Sequence, residues 1–153
     1  MLRVVPKNKS WFAVDPPLLV LDGDQPVAEV LPATLTATLR VGSTTYAISC
    51  EGFLSNHFTL EANDLLIAEA TKPLFKPYAI QFTGAKSYEL RTRLFSRKQE
   101  LLDGESVVGS VHAVGLFSRE KVIDLPAEIT LPEQLFVYWL CEVTWRKQRR
   151  SGD

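Results

Sequence analysis

From Thr34 to Val41 apolar and polar positions alternate strictly. Leu35, Ala37, Leu39 and Val41 fall on one face of an extended segment, and Thr34, Thr36, Thr38 and Arg40 on the other. Gly42-Ser43-Thr44 then reads as a turn into Tyr46-Ala-Ile48-Ser-Cys50, which alternates again. Further runs of period two, or of strand-favouring residues, occupy 11–14, 18–21, 58–62, 65–70, 78–83, 86–94, 98–102, 106–114 and 121–125. Asp22-Gly23, Asn63-Asp64, Gly84-Ala85 and Asp103-Gly104 separate them with turn chemistry. Many short strands at this spacing predict a mainly β protein, an antiparallel sandwich or barrel.

The runs repeat. Leu21-Asp-Gly-Asp-Gln-Pro-Val-Ala-Glu-Val30 matches Leu102-Asp-Gly-Glu-Ser-Val-Val-Gly-Ser-Val111, and Ile67-Ala-Glu-Ala70 stands halfway between them. Val41–Ile48 aligns with Thr83–Leu90, Phe53–His57 aligns with Leu94–Lys98, and Leu94-Phe-Ser-Arg97 recurs at Leu116-Phe-Ser-Arg119. Apart from the last, these matches agree on a period near 41 residues. They predict a lead strand and three modules, about 18–57, 58–98 and 99–131. No module of that size can bury its own apolar face, so the three must share one core. A closed barrel achieves this and leaves no exposed sheet edge.

The remaining segment has a different period. Thr130-Leu-Pro-Glu133 has the form of a capping box, with Pro132 acceptable in a first helical turn. Leu135, Phe136, Val137, Tyr138, Trp139, Leu140 and Cys141 then cover every direction around a helix, and Glu142 interrupts them. A helix over 131–148 would be about 27 Å long, enough to thread a small barrel. Its basic end, Arg146-Lys-Gln-Arg-Arg150, suits the negative pole of the helix dipole.

These features resemble the Tubby C-terminal, phospholipid scramblase and LURP-one superfamily. The likeness is carried by Leu94-Phe-Ser-Arg-Lys98, Asp103-Gly104, Val108-Gly-Ser-Val111, Leu116-Phe-Ser-Arg119 and Leu131-Pro-Glu-Gln-Leu-Phe136. The resemblance implies a closed antiparallel barrel of about twelve strands around a central hydrophobic helix, and a binding or lipid-related role. These motifs are structural. The chain has no acidic calcium-loop segment or cysteine-rich segment of the scramblase kind, and no phosphoinositide-binding residues of Tubby match it, so no site residue is carried over.

Composition agrees with one domain over 1–153. The chain has 153 residues, 46% hydrophobic and 23% charged, with net charge −1. Such a length buries roughly 70% of its unfolded surface without a metal or disulfide. The near-neutral balance argues against a nucleic-acid partner. The total hides an asymmetry: residues 1–70 hold four basic and eight acidic side chains, and residues 71–153 hold thirteen and ten. Cys50 and Cys141 read as reduced, buried thiols. No secretory leader and no apolar run of membrane-spanning length is apparent, so the expectation is a cytoplasmic monomer, peripheral at a membrane if it meets one.

Little here suggests catalysis. His57 and His112 stand outside any metal-ligand spacing, no phosphate-cradling or nucleophile-elbow motif occurs, and no metal or cofactor is expected. The basic segment is the better candidate. Arg91 and Arg93 would face outward while Tyr88, Leu90 and Leu94 face the core; Arg97 and Lys98 follow directly, with Lys72 and Lys76 in the same module. Such a face suits phosphate groups or an anionic membrane surface. The expectation is therefore a non-enzymatic binding or interaction domain of unknown ligand. Two alternatives stand beside it: an enzyme with a pocket around His57 and Cys50, and a structural protein docking its apolar helix on a protein partner or membrane, with Trp139 and Trp145 beside the basic tail.

Overall fold

The computed structural model describes residues 1–7, 16–52, 56–74, 76–84, 86–93, 96–115 and 119–151. Its strands are β1 (Leu2–Pro6), β2 (Leu18–Asp22), β3 (Gln25–Pro32), β4 (Ala37–Val41), β5 (Thr44–Glu51) and β6 (His57–Ala62). They continue with β7 (Leu65–Thr71), β8 (Tyr78–Phe82), β9 (Ser87–Arg91), β10 (Lys98–Asp103), β11 (Ser106–Ala113) and β12 (Lys121–Asp124), followed by helix α1 (Leu131–Ser151). Every strand pairs antiparallel with its neighbours in sequence, and β1 pairs with both β2 and β12, which closes the ring. The expected closed twelve-stranded barrel with one C-terminal helix is what the chain forms.

The alternation seen in sequence separates wall from lumen. Val20, Val30, Leu39, Ile48, Phe58, Leu60, Ile80, Leu90, Leu101, Val111 and Ile123 point inward, none more than 1% exposed. Arg3, Glu29, Arg40, Glu69, Arg91 and Glu100 line the outside, so the wall is charged and the interior apolar. A barrel whose outer wall meets lipid has the reverse arrangement.

The helix fills the lumen. Leu135, Phe136, Val137, Tyr138, Trp139, Leu140 and Cys141 are all at most 1% exposed, and they share one core with the inward strand residues. The helix starts at its capping box: the Thr130 amide donates to Glu133 Oε1 at 3.0 Å, and the Glu133 amide donates to Thr130 Oγ1 at 3.4 Å. Trp139 fixes its depth by donating its indole N–H to the Leu35 carbonyl at 2.9 Å. Enclosed in this way, the apolar helix has no face left for a partner or a membrane, and the helix-docking alternative fails.

The repeat appears as three equivalent bulges. The register shifts between Val20 and Leu21, between Leu60 and Glu61, and between Leu101 and Leu102, leaving Val27, Ile67 and Val108 as the extra residues. All three pack against the core. A two-residue turn with positive φ precedes each bulged residue: Gly23 (62°), Asn63 and Asp64 (53° and 64°), and Gly104 (63°). Asn and Asp tolerate that conformation best after glycine, which explains why Asn63-Asp64 can stand where the other two turns have Gly23-Asp24 and Gly104-Glu105.

Three points differ from the sequence reading, and a fourth expectation, the run at 11–14, lies outside the described residues. β1 was not foreseen, because five residues ending in Pro6 show too little pattern and their partner β12 is far away in sequence. β1 also completes the third module, which therefore takes its fourth strand from the N-terminus. β3 was not among the runs because Pro26 and Pro32 argue against a strand; the structure places them at its two ends, Pro26 beside the bulge.

Trp139→Ala should cost about 3–5 kcal/mol in urea unfolding, since the helix cannot move to fill the void. Gly109→Ala should cost about 1–3 kcal/mol, because the new Cβ would sit 2.6 Å from the Asp124 carbonyl oxygen. Gly84→Ala, which meets nothing within 4 Å, should change stability by less than about 0.5 kcal/mol in the same assay.

Candidate functional site

Antiparallel connections alternate between the two ends of the barrel, and this sorts the charges. At the end where α1 begins, the turns and helix entry carry Asp22, Asp24, Asp64, Asp103, Glu105, Asp124, Glu128 and Glu133. Lys86 stands among them, 3.7 Å from Asp103 and 3.4 Å from Glu128. At the end where α1 emerges, the loops and the last helical turns carry Lys72, Lys76, Arg93, Arg97, Arg119, Arg146, Lys147 and Arg149, with Lys98 and Lys121 at the first positions of β10 and β12. The named cations of the basic end all come from residues 71–153, whereas the carboxylates of the other end come from both halves of the sequence, so the fold sorts charge by end and not by half.

The loop from β9 to β10 brings the expected residues together on the rim of this basic end. Gln99 holds the loop from inside. It is fully buried, its Oε1 accepts the Arg93 amide at 2.8 Å, and its Nε2 donates to the Ser96 carbonyl at 3.2 Å. The helix grips the same loop: Trp145 Nε1 donates to the Ser96 carbonyl at 3.0 Å, and Gln148 Nε2 to the Arg93 carbonyl at 3.4 Å. Arg91 and Arg93 both reach Glu100 Oε1, at 3.7 and 3.8 Å, so part of their charge is compensated. Arg97 and Lys98 are exposed beside them. Leu94, expected to face the core, lies outside the described residues.

Beneath the rim lies a charge cluster. Glu142, 7% exposed, accepts from Arg146 Nε at 3.3 Å, from Arg149 at 3.2 Å and from the Tyr138 hydroxyl at 3.4 Å. Arg146 also donates to the Ala33 carbonyl at 2.9 Å and lies over the Trp139 ring. Lys121, 6% exposed, lies over the Trp145 ring and donates to the Arg119 carbonyl at 3.3 Å. Burial lowers its ammonium pKa; Glu142 works against this, and Arg149, Arg119 and Arg146 lower it further. Lys72 is lowered as well, by burial first and then by Lys147. Two lysines from different loops therefore feel the cations of the same helix end.

The sequence reading missed Arg119 and Lys121 as members of this end, and Gln99 as its support. A signal existed for Gln99: it occupies an inward position, two before Leu101, where the alternation calls for an apolar residue. Arg119 and Lys121 are distant in sequence from both Arg91–Lys98 and the helix tail, and only the closed topology unites them.

Cys50 and His57 do not form a catalytic pair. Cys50 pairs with Phe58, which points inward, whereas His57 pairs with Glu51 on the outer face. The His57 ring lies 3.6 Å from Glu69 and 4.0 Å from Glu51, on the opposite side of the sheet from the thiol. The pocket expected around these residues is therefore not assembled. Two concavities, of about 380 and 370 Å³, lie on the outer face of β7–β9 and beside the start of α1, and neither is lined by Cys50 or His57. Among the described residues no three metal-ligating side chains cluster, and no helix is long and apolar enough to cross a membrane. Neither protein-family models, nor curated proteins, nor solved structures yield a match to this chain.

The shifts give opposite signs at alkaline pH. Burial raises the Cys141 thiol and the Tyr138 phenol above their ordinary values of 9.0 and 10.0. The unfolded chain releases these protons first, so they make stability fall as pH rises past those values. Lys121 works the other way. Its folded pKa lies below 10.5, so the unfolded chain holds the proton longer, and stability rises with pH from the folded value up to 10.5. Lys121→Met should therefore melt higher than the natural chain at neutral pH, with the gap closing as pH approaches 10.5. Melting curves across that range measure it.

Proposed function

We propose that this barrel is a non-enzymatic binding module that presents its basic end to anionic groups, the phosphates of a lipid surface above all. The observation that carries the reading is the segregation of charge: cations from three loops and the helix terminus converge on one end and outnumber Glu51, Glu120 and Glu142 there, and most turn carboxylates collect at the other. Like charges placed together cost stability, and burial makes Lys72 and Lys121 costlier still. An anion at this end relieves that cost. The hydrogen bonds from Gln99, Trp145 and Gln148 hold Arg93 and its neighbours in place before any ligand arrives, which reduces the ordering cost of binding.

The resemblance to the Tubby, scramblase and LURP-one superfamily supports the same reading, since it implies a binding or lipid-related role on a barrel of this form. Membership in that superfamily is part of the proposal. So is the peripheral, cytoplasmic setting, in which the charged outer wall of the barrel stays in water and the basic end meets the surface.

Sedimentation with phosphatidylserine-containing phosphatidylcholine vesicles tests it. Binding should be favoured over pure phosphatidylcholine at low salt and should weaken as salt is added. Replacing Arg97 and Lys98 together by alanine should weaken it roughly thirtyfold, at about 1 kcal/mol per basic residue near the surface. Arg91→Ala should cost less than either, because Glu100 already compensates it. Equal binding to anionic and neutral vesicles at low salt would falsify the reading.

A further inference from the structure

The loop between β7 and β8 holds an apolar side chain where the fold makes no use of one. Leu74 is 73% exposed at the basic end, between Lys72 and Lys76. Hydrogen bonds brace Lys72, Pro73 and Lys76 around it. The Lys76 amide donates to the Pro73 carbonyl at 3.1 Å, turning the chain at Leu74, and Lys72 Nζ donates to the Lys76 carbonyl at 2.8 Å. The Lys72 backbone exchanges hydrogen bonds with Asn56 in the neighbouring loop, and its ammonium lies 5.5 Å over the Tyr78 ring. Leu74 thus projects from a braced knuckle.

The repeat supplies an internal control. The equivalent loop of the first module, between β3 and β4, carries Leu35, which packs against the core and lends its carbonyl to Trp139. A leucine in this kind of loop can therefore serve the fold. Leu74 does not, and neither does Val114 in the third equivalent loop, which is 50% exposed.

Resting on the reading above, we propose that Leu74 is a membrane anchor: the barrel docks end-on to an anionic bilayer, with Leu74 entering the interfacial layer while the surrounding cations meet lipid phosphates. The occupant follows from charge complementarity. An apolar tip ringed by cations fits a surface that is anionic at the headgroups and apolar just beneath them. The electrostatic part draws the barrel to the surface and is screened by salt; the apolar part resists salt.

Leu74→Ser separates the two. It removes a side chain with no structural work, so the fold should be unchanged, checked by the same urea midpoint as the natural chain. Binding to phosphatidylserine-containing vesicles should fall about tenfold, and the residual binding should be more salt-sensitive. In a Cys50→Ala background, a polarity-sensitive fluorophore on Leu74→Cys should shift to the blue on these vesicles and stay unshifted with inorganic phosphate. Undiminished binding by Leu74→Ser, with no fluorophore shift, overturns the anchor and leaves the electrostatic reading standing. If the vesicle-free protein self-associates at low salt and Leu74→Ser abolishes only that, Leu74 serves contact between copies and the anchor is overturned. If the natural chain shows no preference for anionic vesicles, both proposals fall together.

Discussion

The structure depends on a mutual enclosure. A helix apolar in every direction cannot rest against a single sheet face, and a twelve-stranded ring with inward leucines, valines and aromatics cannot close over nothing. Each supplies the surface the other must bury. Phe58 against Tyr78 and Phe82 against Tyr88 thicken the wall, while Trp139 and Tyr138 occupy the axis. The hydrogen bonds that matter most for position, such as Trp139 to Leu35, fix the height of the helix in the ring. Height in turn decides which helical residues emerge at the rim.

That placement gives the molecule its electrical character. The helix enters among carboxylates and leaves among cations, so both poles of its dipole are complemented. Complementing a pole does not require so many cations, however, and the exit end holds more than the helix can use. Glu142 is the buried counter-charge that lets Arg146 and Arg149 coexist there. Glu100 does the same for Arg91 and Arg93 on the outside. What remains uncompensated faces outward at the rim.

Much of the fold could be read from the sequence because its periods are local. Alternation marked most strands, the capping box marked the start of the helix, and the three bulges at Val27, Ile67 and Val108 recur at the spacing of the sequence repeat near 41 residues. What escaped was non-local. β1 has meaning only beside β12, and β3 hides behind two prolines that the sheet tolerates at its ends. The candidate site was half legible for the same reason. Arg91, Arg93, Arg97 and Lys98 form one visible cluster, but their union with Arg119, Lys121, Arg146 and Arg149 exists only once the connections have been sorted by end. Cys50 and His57 show the converse: close in sequence and on adjacent strands, they are separated by the sheet itself.

The pairing of β1 with β12 also makes the closure of the barrel a long-range contact. Leu2 finds its partner in Ile123, so one edge of β1 is satisfied only by a strand far away in sequence. The helix that fills the ring follows β12 in the chain. The seam between β1 and β12 is therefore the fastening on which the enclosure of the helix depends: it joins strands from opposite ends of the barrel's sequence, and opening it would expose the apolar inner surface of the sheet.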